Sequence, residues 1–142
     1  MTDIIIAKEH LDGHSICLCK GGEWFTDDGR GISPMMRFTA QNKPLEGYSA
    51  ADIIVGRAAA MLFVKACIVS VYARVLSKGA KEYLDEHNIS VSYETLTEKI
   101  IDRTGKDICP MEKAVADITD PDEGYEALKA ALERLKAANH TG

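Results

Sequence analysis

The sequence has no C-x-x-C pair, no run of adjacent basic residues and no uninterrupted apolar stretch long enough to span a bilayer. Without paired cysteine knuckles there is no conventional structural zinc site. With 22 acidic against 17 basic residues and a formal charge of −5, the chain lacks the concentrated basic face that nucleic-acid binding requires. The apolar-rich segment from Ala50 to Val75 is broken by Asp52, Arg57, Lys65 and Arg74, so no membrane span is expected. The first residues carry no basic segment followed by a long apolar one, which sets the expectation of a cytoplasmic protein. Aromatics are few, with three Phe and one Trp, and there is no internal repeat or low-complexity tract.

What remains is 142 residues, 46% hydrophobic and 27% charged, enough for one domain spanning 1–142 around a single core. The four cysteines, Cys17, Cys19, Cys67 and Cys109, read as free thiols, in keeping with a reducing compartment. Cys17 and Cys19 would share one side of a strand. Together with His14 they make a conceivable metal cluster, though C-x-C is a weak ligand pattern.

Residues 3–12 follow a helical pattern that Gly13 ends, and Ser15–Lys20, Gly21-Gly22 and Glu23–Thr26 have the form of a β-hairpin. Pro34 marks Ile32–Phe38 as an edge strand or a loop. Ser49-Ala50-Ala51-Asp52 has the form of a capping box, predicting a buried helix from Ile53 to Val64. Cys67–Ala73 reads as a central strand, Ser77 as the cap of a helix through Asn88 with Ala80, Tyr83 and Leu84 inward, and Ile89–Tyr93 as a further strand. Residues 95–103 suit either state, with Leu96 and Ile100 spaced for a helix. Pro110 opens a short helix to about Ile118. Asp120 and Pro121 open a last one, about 121–138, with Tyr125, Leu128, Leu132 and Leu135 on one face. Strands alternating with helices predict an α/β fold with parallel neighbours.

Four segments carry a family resemblance: Gly29-Arg30-Gly31-Ile32-Ser33-Pro34-Met35, Ala51 through Ala60, Val71-Tyr72-Ala73 with Ser77, and Cys109-Pro110-Met111-Glu112-Lys113-Ala114-Val115. They resemble the motifs of the domain of unknown function 1893 family over about residues 15–118. Where that family's pattern usually has Lys, this chain has Ile53 and Arg57. The resemblance implies a cytidine-deaminase-like, three-layer α/β/α sandwich with a mixed sheet of about five strands. It does not imply deamination. Zinc deaminases need H-x-E at the first core helix and P-C-x-x-C at the second. None of His10, His14, His87 and His140 precedes a Glu by two residues, and Cys109-Pro110 is the reverse dipeptide.

Ligands of open α/β sheets bind beyond the carboxyl ends of the strands, where helix N-termini favour anions. The expected helix starts at Ser49, Ser77 and Pro110 therefore point to Asp52, Arg57, Ser77, Cys109, Glu112 and Arg30 as candidate ligand-binding residues. Each has two readings. Asp52 caps a helix or presents a carboxylate to a ligand; Arg57 meets an acidic partner or a bound anion. Cys109 and Glu112 begin a helix or supply a reactive thiol and its neighbour, and Arg30 is the basic tip of a Gly-rich turn. Gly56, costly inside a helix, allows close packing or ligand access. The functional expectation is a protein that binds a small, nucleotide-like or anionic molecule without a metal. A non-catalytic interaction module and a thiol sensor are the alternatives. No catalytic residue, cofactor or oligomeric state is assigned, although a homo-oligomer is compatible.

Overall fold

The computed structural model describes residues 2–101 and 108–141, the last four by their backbone. The elements run α1 (Asp3–Glu9), β1 (Ile16–Lys20), β2 (Glu23–Asp27), α2 (Ser33–Ala40), β3 (Ser49–Val55), α3 (Arg57–Lys65), β4 (Ser70–Ser77), α4 (Lys78–Glu86), β5 (Ser90–Thr97), α5 (Pro110–Val115) and α6 (Pro121–Thr141). They build an α/β protein on one five-stranded sheet of order β2-β1-β3-β4-β5. β1 pairs antiparallel with both β2 and β3, whereas β3, β4 and β5 are parallel, so the sheet is mixed.

The two parallel crossovers, β3-α3-β4 and β4-α4-β5, place α3 and α4 on the same face of the sheet. There they join α2, α5 and α6 in the larger core, around Met61, Leu62, Phe63, Tyr83, Leu84 and Leu128. Among the described residues the opposite face is covered by α1 alone, with Ala7 and, just past the helix, Leu11 packed on Cys17, Cys19, Ala51 and Tyr72. This gives three layers: α1, the sheet, and the other helices.

The hairpin turn uses Gly21 and Gly22 at φ 61° and 83°, the left-handed pair that a two-residue turn of this twist demands. Their N–H groups both donate to the Asp3 carboxylate at 3.0 Å, which ties α1 to the turn. The Gly22 bond, then that of Gly21, holds the Asp3 carboxyl below its ordinary range. Ser77 caps α4 as its sequence predicts, accepting from the Ala80 N–H at 3.1 Å, with Ala80, Tyr83 and Leu84 buried beneath. Asp120 accepts from the Glu123 N–H at 2.9 Å at the start of α6. Leu128 of that helix is buried while Leu135 is exposed, so the apolar stripe stops short of Leu135.

Four expectations are corrected. Ser49–Val55 is a strand, so Asp52 lies mid-strand and closes no capping box. The β-branched run Ile53-Ile54-Val55 outweighs the helix-favouring alanines before it, and the helix starts only after Gly56. Ile32–Phe38 is neither strand nor loop: Ser33–Ala40 is helical, with Pro34 in its first turn where no N–H is needed. Cys67 does not head a strand; it follows α3 at φ 61° and is exposed, and β4 begins at Ser70. Residues 95–97 extend β5, pairing with Val75–Ser77 of β4, and are not helical. Ile101 bridges Ile108, and the remainder of 95–103, residues 102 and 103, lies outside the described residues.

Candidate functional site

At the carboxyl end of β3 the chain turns through Gly56 into α3, and a cleft of about 480 Å³ opens there. Its walls come from the turn before α2 (Arg30), the first residue of α2 (Ser33), the end of β3 (Ile54), the first turn of α3 (Ala58, Ala59), Ile100 and Ile101, the start of α5 (Cys109, Met111, Glu112), and Leu132 of α6. Ile54 and Ile101 each leave 50% of their surface exposed, a large apolar area for side chains in a folded interior to present. This is the position that the open-sheet rule assigns to a ligand.

Among the polar groups on the wall, Glu112 is the most constrained. Its carboxylate accepts from the Arg57 N–H at 2.7 Å and the Ala58 N–H at 2.8 Å, one oxygen to each. These are the first two orphan donors of α3, the groups an anionic ligand would otherwise meet. The protein therefore fills the α3 anion position with its own side chain. Gly56 makes this possible: a Cβ there would lie 2.3 Å from Glu112 Oε1. Gly56 precedes the helix rather than lying inside it, so the close approach explains it and helix propensity does not enter.

Arg57 takes neither of its two expected partners. Its Nε donates to the Val115 carbonyl at 3.2 Å and its Nη2 to the Ile118 carbonyl at 2.5 Å, and the guanidinium lies 5.0 Å from the centroid of the Tyr83 ring. It satisfies carbonyls at the end of α5, where a cation is also favoured by the helix dipole. The Tyr83 hydroxyl donates to the Thr119 carbonyl at 2.7 Å, completing a brace between α3, α4 and the segment after α5.

Asp52 is buried, on the same face of the sheet as its cross-strand neighbours Ile16 and Ala73. It precedes Ile54 by two residues, so its side chain lies on the face of β3 that leads into the cleft, roughly 7 Å deeper along the strand. The Ile53 N–H donates to its Oδ1 at 2.7 Å, and no cation faces it among the described residues. Burial raises its carboxyl to about 7, only partly offset by the Ile53 and Ile54 N–H groups. Ser77 is buried as the α4 cap and does not reach the cleft.

The cleft thus gathers Arg30, Cys109 and Glu112 from the expected set, and leaves Asp52, Arg57 and Ser77 in the scaffold beneath it. Ile54, Ile101, Met111 and Leu132 were not foreseen. Only Ile54 carried a local signal, as part of a β-branched run just before Gly56. Arg30 is exposed, and it makes no ion pair among the described residues, whereas Arg37 pairs with Asp27 and Arg74 with Asp12.

The other cysteines are placed apart from the cleft. Cys17 and Cys19 do share one side of β1, buried under α1, and all four cysteines are free. Burial pushes the Cys17 thiol up to about 11 and raises that of Cys19. His14 bonds Asp28 at 2.6 Å instead of approaching them, and no cluster of three or more metal-ligating side chains exists among the described residues. Since thiolate is the reactive form, a native-state titration with an aromatic disulfide reagent is expected to modify the exposed Cys67 and the half-buried Cys109 and to spare Cys17 and Cys19 until the protein is unfolded. Rapid native modification of Cys17 or Cys19 would contradict this placement.

No helix among the described residues is long and apolar enough to cross a membrane. No curated protein matches the chain. Among solved structures, the chain is similar to the crystal structure of a DUF1893 family protein, TM1506, from Thermotoga maritima. The two are 29% identical with a TM-score of 0.72, and the match covers 84% of this chain and 80% of that one. The family model described as a domain of unknown function (DUF1893) matches residues 5–132, taking in most of α1 and half of α6 as well as the motif-bearing centre. The chain belongs to the DUF1893 family.

Proposed function

We propose that the protein binds a small molecule of apolar body and at least one anionic group in the cleft at the carboxyl end of β3. The observation that carries this reading is the cleft itself: half-exposed Ile54 and Ile101 line a concavity of about 480 Å³ whose rim holds Arg30, a guanidinium without an ion-pair partner among the described residues. That volume lies in the range of small-ligand sites and is suited to a nucleoside-sized compound better than to a dinucleotide. A guanidinium is the side chain best shaped for a carboxylate or phosphate. Asp52, Arg57 and Ser77 hold the scaffold, which we read as deaminase-like but metal-free, and they do not touch the ligand.

A thermal-shift panel of nucleotides, nucleosides, aromatic and aliphatic carboxylates and phosphate esters tests this with the wild type, Arg30→Ala and Ser33→Trp, the last placing bulk in the cleft mouth. A true ligand at a hundredfold excess over its Kd stabilises by about 2.7 kcal/mol, a rise of roughly 5–10 °C for a chain of this length. The shift is expected to vanish with Ser33→Trp and to shrink with Arg30→Ala. A shift untouched by both substitutions, or no shift across the panel, would sink the reading.

A further inference from the structure

We infer that the cleft selects amphoteric ligands, in which an apolar body joins an anionic group, held by Arg30, to an ammonium or similar cationic donor, held by Glu112. This rests on the binding reading above and narrows it to a substrate class.

The argument turns on what Glu112 has left to offer. An ionised carboxylate accepts at about four lone-pair positions. Two of the positions on Glu112 are taken by the Arg57 and Ala58 N–H groups at 2.7 and 2.8 Å. The remaining ones belong to a side chain on the cleft wall, beside Gly56 and Ala58. The two backbone bonds fix the carboxylate in place, so a ligand donor meets an acceptor that needs no reordering. An anion meets the opposite situation there, because the α3 donors that would attract it are already engaged and a negative charge stands in front of them. Arg30 supplies the cleft's free positive charge among the described residues, from the turn before α2 on a different wall. The lining also includes Ile54, Ile101, Met111 and Leu132, which favour hydrocarbon. A molecule with one charge engages one wall and forgoes the charge-assisted bond that the other wall offers.

The test compares doubly charged probes with their single-charge counterparts by calorimetry on the intact protein. One series sets 6-aminohexanoate against hexanoate and hexylamine. A second sets 4-(aminomethyl)benzoate against 4-methylbenzoate and 4-methylbenzylamine. Tryptophan, whose charges are adjacent, completes the set. A doubly charged probe is expected to bind at least about tenfold more tightly than either counterpart, the discrimination that one satisfied polar group confers. Arg30→Gln, an exposed substitution, should erase its advantage over the amine. Glu112→Gln keeps one acceptor for the α3 N–H groups and should erase its advantage over the acid, with a melting curve confirming that the variant is folded. If the acid alone binds as tightly as the doubly charged probe, or the preference survives Glu112→Gln, the amphoteric class is wrong while binding in the cleft stands. Absence of binding by every probe at millimolar concentration also overturns this inference, and the broader thermal-shift panel then decides separately whether the cleft binds anything.

Discussion

Asp52→Asn is expected to flatten most of a fall in stability that the wild-type protein shows as pH rises from about 4 to about 7. Burial raises the Asp52 carboxyl from 3.8 to about 7 in the folded chain. Below the lower value the group is neutral in both states and its contribution to stability is fully present. Between the two values the unfolded chain releases the proton and the folded chain keeps it, so each pH unit favours unfolding by about 1.4 kcal/mol. Above about 7 the folded group ionises as well and the loss levels off, having reached about 4 kcal/mol. Asp3, whose carboxyl is held low by the hairpin N–H groups, works in the opposite direction, gaining stability as pH rises. The comparison that isolates Asp52 is therefore the difference between variant and wild type. Urea unfolding at about pH 4.5 and about pH 8 supplies it: the Asn variant should gain on the wild type at the higher pH. Parallel stability curves for the two proteins would show that Asp52 is not held neutral in the fold.

Gly56→Ala is the second large effect. The backbone there has φ −102° and ψ −175°, extended geometry that alanine adopts freely, so any cost is steric. The added Cβ would meet Glu112 Oε1 at 2.3 Å, the Glu112 carboxyl carbon at 2.6 Å and Ile100 Cγ1 at 2.8 Å. A carboxylate at the end of a flexible chain would ordinarily swing aside. Here swinging aside strips the first two N–H groups of α3 of their partner. Overpacking together with loss of the cap should cost about 3 kcal/mol, a fall in melting temperature of roughly 10 °C. Glu112→Ala alone loses the cap without the clash. In the double variant the clash with the carboxylate is gone and only the Ile100 side chain has to give way, so the two costs should fall short of additive by at least about 1 kcal/mol. A melting temperature for Gly56→Ala within about 1 °C of wild type, or strictly additive costs, would mean that Glu112 does not occupy the α3 terminus.

These two residues also show where the sequence was informative and where it was not. The hairpin, the Ser77 cap and the inward stripe of α4 were legible because each is settled by residues within a few positions: a Gly-Gly pair, a serine three residues from the N–H it caps, an i, i+3, i+4 pattern. Asp52 was misread because its serine-to-acid spacing fits a capping box by chance, while the evidence against it lay in the three β-branched residues that follow. Pro34 was misread because proline is equally at home in the first turn of a helix and at a sheet edge. Glu112 was named as a candidate, but its partner lies 55 residues away on another element, and no local pattern encodes a cap supplied from such a distance. The cleft is the extreme case, since residues 30, 54, 101, 109 and 132 converge only after the sheet has formed. The expected helix starts could suggest that a ligand is anionic. They could not show that the α3 terminus is already filled from within.

The lone helix on the second face has a consequence for how the molecule holds together. Residues 3–27 form a helix and hairpin closed by short loops, and the parallel β3–β5 unit is closed by its own crossovers, so each can assemble from contacts near in sequence. The two units meet where strand direction reverses, between β1 and β3. α1 lies across that seam, with Ala7 and Leu11 packed against Cys17 and Cys19 on one side and Ala51 and Tyr72 on the other. Its contacts therefore join the antiparallel part of the sheet to the parallel part. The two thiols of β1 are therefore sealed by the same contacts that bridge the seam, since Ala7 and Leu11 cover them together with Ala51 and Tyr72.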